Sequence, residues 1–188
     1  MPKNMRFLIL MMRILMKSNN DFMVKIHTLG LLPTSVVVQI AGVKYNIETK
    51  EITDEFLVNI DPFDSKKYGF TVDPSTVEWW KTQPSQLVKG WKKDAQPLRE
   101  AIYQFNHWCD PNNSTKSHMT AFSTGFDLPP IKYACHQVGV DLPWKNYLER
   151  DLRTIIEIYG DKFEKQDERF NALDDCYAQT ELLFRVFS

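Results

Sequence analysis

Residues 21–45 carry the clearest strand pattern in the chain. Alternating apolar and polar positions predict a first strand, and a β-branched run after a turn predicts a second, buried central strand. The apolar positions are Phe22, Val24 and Ile26, the turn contains Gly30 and Pro33, and the β-branched run covers residues 36–45. Lys25 and His27 are the polar positions near the end of the first strand, where many α/β folds place their chemistry.

The pattern after residue 45 predicts one more strand of a meander and then a mixture of helices and strands. Residues 52–60 alternate like a third antiparallel strand. Apolar residues at spacings of three and four then predict helices over residues 76–83, 97–109, 128–138, 151–159 and 171–186, and residues 119–122 predict a short buried strand. Asp73 and Pro74 have the features of a helix start. This order of elements predicts an α/β fold with a mixed central sheet flanked by helices.

Two adjacent tryptophans, Trp79 and Trp80, lie in the first predicted helix. Aromatic side chains at helical spacing are typical of a core, and we predict that both pack inside. The alternatives are that an exposed indole stacks on a nucleic-acid base or lies in a homodimer interface.

Length and charge predict one ordinary globular domain. The chain has 188 residues and a formal net charge of −1, so global charge gives no nucleic-acid signature. The cysteines, Cys109, Cys135 and Cys176, are widely spaced, which favours reduced, core or half-buried thiols in an intracellular, cytoplasmic protein.

The only hydrophobic run near the start of the chain covers residues 6–17 and is interrupted by Arg13. It is too short to span a bilayer, and no small-residue cleavage site follows it. We therefore predict an N-terminal extension over residues 1–20, a folded domain over residues 21–188, and no membrane partner.

Several short segments, taken in order, resemble a known nuclease family. They read TLG at 28–30, SVVVQIAGVKY at 35–45, DEFLVNID at 54–61, FTVDPSTVEWW at 70–80, GFDLP at 125–129, RDLRT at 150–154 and NALDDCYAQ at 171–179. Together they resemble the 3′-5′ exonucleases of the ribonuclease T/DnaQ superfamily, and within it the small phage and bacterial branch related to exonuclease VIII. The resemblance covers about residues 22–186 and implies a ribonuclease H-like fold.

The resemblance also implies a chemistry. Such nucleases hold two divalent ions, roughly 4 Å apart, between four carboxylates, and the ions activate a water and stabilise the leaving oxygen of a phosphodiester. Hard oxygen ligands of this kind suit Mg²⁺ or Mn²⁺. A histidine near the site acts as general base for the water.

The chain keeps only part of the motif that the family requires. Asp127 and Asp175 stand at two carboxylate positions, but Lys25 and His27 replace the acidic residues of the first motif and Phe170 replaces the histidine base. Three of the five functional positions are therefore changed.

The change at Lys25 reverses the charge at the centre of the expected cation site. An ammonium in contact with a divalent ion costs several kcal/mol even at a high effective dielectric, about 4 kcal/mol per pair of unit charges near a protein surface. We predict that the Lys25 ammonium takes the place of the metal and neutralises Asp127 and Asp175, which would otherwise repel each other.

Histidines offer the remaining routes to a working site. His27 could bind a softer metal such as Zn²⁺ or Mn²⁺ together with Asp127 and Asp175. His107, His118 and His136 lie outside the motif, and we predict that they are surface or loop residues rather than substitutes for the missing base.

Three functions from different classes follow from this pattern. We favour a catalytically degenerate member that binds the 3′ end of a single-stranded nucleic acid or a protein partner. The second is an active metal-dependent exonuclease with a rearranged site built from Asp127, Asp174, Asp175 and His27. The third is a phage interaction or inhibitor protein on a reused nuclease scaffold.

Strand binding would need basic residues along the cleft. The candidates are Lys66, Lys67, Lys89, Lys92, Lys93 and Arg153.

Overall fold

A mixed β-sheet lies at the centre of the protein. The structure, a computed structural model, describes residues 21–109, 117–159 and 171–187. Within these ranges the sheet has five strands, β1 (Asp21–Thr28), β2 (Val37–Asn46), β3 (Glu51–Asn59), β4 (Met119–Ala121) and β5 (Glu149–Asp151). Their order is β3-β2-β1-β4-β5, with antiparallel pairing in the meander β1 to β3 and parallel pairing from β1 through β4 to β5. The predicted α/β class with a mixed sheet is confirmed.

The middle strand of the sheet is β1, and β2 is its interior neighbour. The run over residues 36–45 was expected to form the central strand, and it is indeed fully buried along most of its length. However, β1 gains the middle position because β4, far along the chain, pairs with its second edge. Lys25 and His27 therefore lie on the middle strand of the sheet, which is paired on both edges.

Helices cover both faces of the sheet. Their bounds are α1 (Pro62–Lys66), α2 (Pro74–Lys81), α3 (Ser85–Gly90), α4 (Leu98–Cys109), α5 (Thr124–Val138), α6 (Leu152–Tyr159) and α7 (Ala172–Val186), with a 3₁₀ turn at Asn146–Leu148. On one face Phe22, Val24 and Ile26 join the apolar core formed with α4 and α5. On the other face Met23 packs with α6 and α7. Side chains alternate between the two faces along a strand, so the Lys25 side chain leaves β1 on the same face of the sheet as Met23.

Helix α5 begins four residues before its predicted start, at Thr124 rather than Leu128. Gly125 and the pair Pro129 and Pro130 are residues that commonly mark helix ends, and here they lie inside the helix. The earlier start matters for the site, because it places Asp127 in the first turn of α5. Two short helices, α1 and α3, and strand β5 had no clear sequence signal.

The two tryptophans of α2 differ in burial. Trp80 is 8% exposed, and its indole Nε1 donates a hydrogen bond to the backbone oxygen of Thr28 at 2.8 Å. Trp79 is 53% exposed, so the prediction that it belongs to the core is wrong. Helix α2 turns by about 100° per residue, and only one of two consecutive side chains can face the sheet.

Other sequence predictions concern the cysteines and the membrane. Cys109, Cys135 and Cys176 are buried, as predicted, and burial raises the pKa of each thiol. No helix in the described ranges has the length and apolar character needed to cross a bilayer. The N-terminal extension predicted over residues 1–20 lies outside the described residues.

Candidate active site

The structure brings Lys25 of β1 and Asp127 of α5 into direct contact. The ammonium Nζ of Lys25 lies 2.7 Å from Oδ1 of Asp127, and the two side chains are 17% and 0% exposed. The second carboxylate oxygen, Oδ2, accepts a hydrogen bond from the backbone N–H of Ser123 at 3.1 Å. A buried carboxylate is stable only when its charge is paired and its oxygens are hydrogen-bonded, and both conditions are met here.

Asp151 holds the turn that supplies the Ser123 N–H. One of its oxygens accepts from the N–H and the hydroxyl of Thr124 at 2.9 and 3.2 Å, and the other accepts from the N–H and the hydroxyl of Thr154, both at 3.0 Å. Partial burial pushes the pKa of Asp151 upward, but these hydrogen bonds outweigh burial and hold the pKa below its ordinary value of 3.8. Asp151, at the end of β5, thus anchors the start of α5.

Asp151→Asn is expected to destabilise the fold at neutral pH, because the amide group presents N–H donors to the donors of Thr124 or Thr154. The free energy of unfolding should fall by about 1 kcal/mol, the low end for lost hydrogen bonds at a partly exposed site. The pKa of Asp151 is lower in the folded than in the unfolded chain. The stabilisation that its ionised carboxylate provides is therefore complete above pH 3.8 and disappears as the pH falls through the folded pKa.

Urea unfolding at pH 7 and pH 3 measures this effect. The matched control is Asp141→Asn, since Asp141 is an exposed carboxylate. The assigned role of Asp151 would be contradicted if both variants lost the same free energy of unfolding at pH 7. It would also be contradicted if the loss in Asp151→Asn were as large at pH 3 as at pH 7.

His27 faces Asp175 and is fixed by a tryptophan from α3's C-terminal end. The indole Nε1 of Trp91 donates to Nδ1 of His27 at 3.3 Å, and Nε2 of His27 lies 3.6 Å from Oδ2 of Asp175. An indole N–H can only donate, so Nδ1 acts as an acceptor and the proton of the neutral ring is on Nε2. The imidazole also packs against Trp80 with ring centroids 5.0 Å apart. Both ring nitrogens of His27 are therefore directed at protein groups.

The two aspartates at the start of α7 have different roles. Asp174 completes a capping box with Asn171: its Oδ2 accepts from the Asn171 backbone N–H at 3.0 Å, while Asn171 Oδ1 accepts from two N–H groups of the first turn. Asp175, one residue later, is 6% exposed and turns toward His27. Asp174 thus serves the helix start, and Asp175 faces the candidate site.

Gln39 positions the start of α7, and sequence reasoning missed it. It lies opposite His27 in the β1–β2 ladder, and its Oε1 accepts from the backbone N–H of Ala172 at 2.7 Å. Its Nε2 donates to Asn59 on β3 at 2.7 Å. A buried glutamine in the middle of an apolar strand was the available signal, because such a residue needs polar partners.

Not every predicted site residue is placed near this cluster. Phe170 lies outside the described residues. His107 and His136 are exposed and His118 lies in the loop directly before β4, in agreement with the prediction of surface or loop residues. The His118 side chain is nevertheless only 4% exposed, and its Nδ1 lies 3.1 Å from Oδ2 of the fully buried Asp21. The two residues flank the junction of β1 and β4, so the contact serves the sheet.

A cavity of about 470 Å³ opens beside the cluster. Its lining includes the polar side chains of Lys25, His27 and Asp175 and the apolar side chains of Leu31, Trp79 and Phe126. None of the six basic residues expected to line a cleft is among the described residues that line this cavity. Lys67 instead pairs with Asp64, and Arg153 donates to the hydroxyl of Ser123.

The side chains present do not fit the two-metal arrangement that the resemblance implies. Among the described residues, no group of three or more histidines, cysteines, aspartates or glutamates has metal-binding geometry. The Lys25 ammonium lies where a cation would have to contact Asp127, and the lone pair of His27 Nδ1 already accepts from Trp91.

Comparison with solved structures places the fold among exonucleases. Exonuclease I from Methylocaldum szegediense aligns with a TM-score of 0.67 and 13% identity, over 90% of this chain and 42% of that one. E. coli exonuclease I in complex with a dA16 oligonucleotide gives a TM-score of 0.64 and 13% identity, over 90% and 42%. The zinc-bound E. coli complex with single-stranded DNA gives 0.62 and 11%, over 88% and 40%. This chain spans about two fifths of the length of these proteins.

Sequence comparisons give the family. No curated protein matches the chain. Residues 20–187 match the family described as the 3′-5′ exoribonuclease Rv2179c-like domain. The resemblance to 3′-5′ exonucleases of the DnaQ-like class is thereby confirmed at that level. Because the match covers nearly all of the sequence, the chain belongs to the Rv2179c-like 3′-5′ exoribonuclease domain family.

Proposed function

We propose that this chain is a degenerate 3′-5′ exonuclease-like domain that binds the 3′ end of a single-stranded nucleic acid and hydrolyses it weakly or not at all. The observation that carries the proposal is the 2.7 Å contact between the Lys25 ammonium and the buried Asp127 carboxylate. In this assignment Lys25, His27 and Phe170 occupy motif positions whose chemistry has been lost, and Asp127 and Asp175 are the retained carboxylates.

Loss of hydrolysis follows from charge and from proton chemistry. Lys25 supplies one positive charge where the family's mechanism needs divalent ions, and an ammonium cannot lower the pKa of a coordinated water as such an ion does. Phe170 at the base position cannot accept a proton. The Trp91 hydrogen bond directs His27 away from a role as metal ligand, so Mg²⁺ or Mn²⁺ binding is not expected in the native chain.

Strand binding is supported by two side chains that line the cavity, the Lys25 ammonium and the exposed Trp79 indole. Lys25 has three N–H donors, and its contact with Asp127 uses one, so the ammonium can also meet a phosphate oxygen. The exposed indole of Trp79 forms part of the apolar wall, where the terminal base can stack. Complexes of E. coli exonuclease I with dA16 and dT13 show that a protein of this fold binds a single strand.

An active exonuclease with a rearranged site is the second candidate, because Asp175 lines the cavity and Asp127 contacts Lys25, which also lines it. A nuclease assay separates the two. The protein is incubated with 5′-labelled single-stranded RNA and DNA, first in Mg²⁺ and then in Mn²⁺, with Asp127→Asn as control. We expect intact substrate and a mobility shift that weakens as salt rises. A shortening ladder that Asp127→Asn abolishes would establish the active enzyme instead.

Trp79→Ala is expected to weaken strand binding by about tenfold, because stacking on an aromatic side chain contributes about 1–3 kcal/mol per base. Fluorescence anisotropy with a labelled oligonucleotide at fixed salt measures the change. Tyr147→Ala is the matched control, since Tyr147 is a 76% exposed aromatic residue that does not line the cavity. Equal affinities of the two variants would show that the terminal base does not stack on Trp79.

A further inference from the structure

A second, larger cavity lies between α1, α2 and α3, and we call it the α2–α3 pocket. Its volume is about 830 Å³, and its walls include Phe63, Trp80, Val88 and Trp91. Trp80 also lines the cavity beside Lys25, so the two cavities share this indole as a lining group. A volume of this size is typical of pockets that bind a small molecule.

The polar groups on the walls of the α2–α3 pocket are largely occupied. Asp61 accepts from the Phe63 backbone N–H at 2.9 Å as the N-cap of α1, and Gln83 donates to the hydroxyl of Thr82 at 3.0 Å. The pocket therefore offers few groups to pair with the edge of a sugar or a nucleobase, and its aromatic and aliphatic walls favour an apolar body.

Lysines at the rim give the pocket a preferred charge. Lys81 pairs with Glu78 at 2.6 Å, whereas the ammonium groups of Lys89 and Lys92 have no acceptor within hydrogen-bonding distance in the described part of the chain. Two such cations beside one capping carboxylate, Asp61, leave an excess of positive charge. A ligand with an anionic end would complement it.

We propose that the α2–α3 pocket binds a small amphipathic anion, a hydrocarbon or aromatic body with one acidic head. The body packs against Trp80, Trp91 and Val88, and the head lies near Lys89 and Lys92. This site is separate from the strand-binding proposal. It also reaches the candidate active site, because Trp91 lines the pocket and donates to His27.

Two fluorescent probes that differ in charge test the proposal on the full chain. 1-Anilinonaphthalene-8-sulfonate has an aromatic body and one sulfonate, and N-phenyl-1-naphthylamine is the same body without charge. We expect both to bind, the anion about three- to tenfold more tightly at low salt. Lys89→Ala and Lys92→Ala should each weaken the anion and leave the neutral probe unchanged. Lys145→Ala, which removes an exposed charge elsewhere, should change neither.

A variant that obstructs the pocket locates the binding. Val88→Trp places an indole in part of the pocket and is expected to weaken binding of both probes at least about threefold while retaining strand binding, with the thermal unfolding midpoint as a check of folding. Ala95→Leu is the second obstructing variant if Val88→Trp does not fold. The proposal is overturned if the neutral probe binds as tightly as the anion, if Lys145→Ala weakens the anion as much as Lys89→Ala, or if a folded obstructing variant binds both probes as tightly as the native chain.

Discussion

The double substitution Lys25→Asp with His27→Glu is expected to create a divalent-cation site, whereas we expect the native chain to give no heat with millimolar Mn²⁺. The exchange restores the acidic residues that the family's first motif carries at these positions. It removes the ammonium from Asp127 and places two new carboxylates near Asp127 and Asp175. Oxygen ligands of this kind select Mg²⁺ and Mn²⁺.

Metal binding should also stabilise the double variant. Carboxylates brought together without a cation repel each other, so the metal-free variant should unfold more easily than the native chain. A ligand whose free concentration is 100 times its dissociation constant raises the free energy of unfolding by about 2.7 kcal/mol. For a chain of this size, that corresponds to a rise of roughly 5–10 °C in the thermal unfolding midpoint. Calorimetric titration with Mn²⁺ and thermal unfolding with and without Mn²⁺ measure the two effects.

Lys25→Met with His27→Glu is the matched control, because it removes the positive charge without supplying the first carboxylate. We expect it to bind Mn²⁺ at least tenfold more weakly than the double acidic variant. Native protein that already binds Mn²⁺ as tightly as the double variant would refute the view that Lys25 has replaced the metal. Hydrolysis is not expected to return in either variant, because Phe170 supplies no base.

The meander and most helices could be predicted from local patterns, whereas the site's supporting contacts could not. Alternation predicted β1 and β3, a β-branched run predicted β2, and the cap at Asp73 predicted the start of α2. Strand β5 has three residues, too few for a periodic signal, and its place beside β4 is set by tertiary contacts. The burial of His118 likewise depends on Asp21, which is 97 residues away in sequence.

The replacement of acidic residues by Lys25 and His27 could be recognised from the sequence only by comparison with the family motif. The motif predicted that Lys25 would neutralise Asp127 and Asp175. Its ammonium contacts Asp127, whereas Asp175 faces His27. No motif pointed to Trp91 or Gln39, which set the ring orientation of His27 and the position of α7. Such residues support the site from outside it, and their side-chain types are those of ordinary core positions.

Lys25→Met alone is expected to lower the free energy of unfolding by about 3–5 kcal/mol, because it leaves Asp127 charged, fully buried and without its cation. The double variant Lys25→Met with Asp127→Asn should lose less free energy of unfolding than Lys25→Met alone. The neutral amide oxygen still accepts from Ser123 N–H, and no unpaired charge remains in the interior.

Urea unfolding of the four members of this double-mutant cycle at pH 7 measures the coupling between the two side chains. A coupling of several kcal/mol means that Lys25 has taken over the electrostatic part of a cation's role: holding Asp127 ionised inside the fold. Additive losses would mean that water or another group compensates Asp127. In that case the carboxylate would be accessible enough for a metal ion to compete with Lys25, and the active-enzyme alternative would gain its first support.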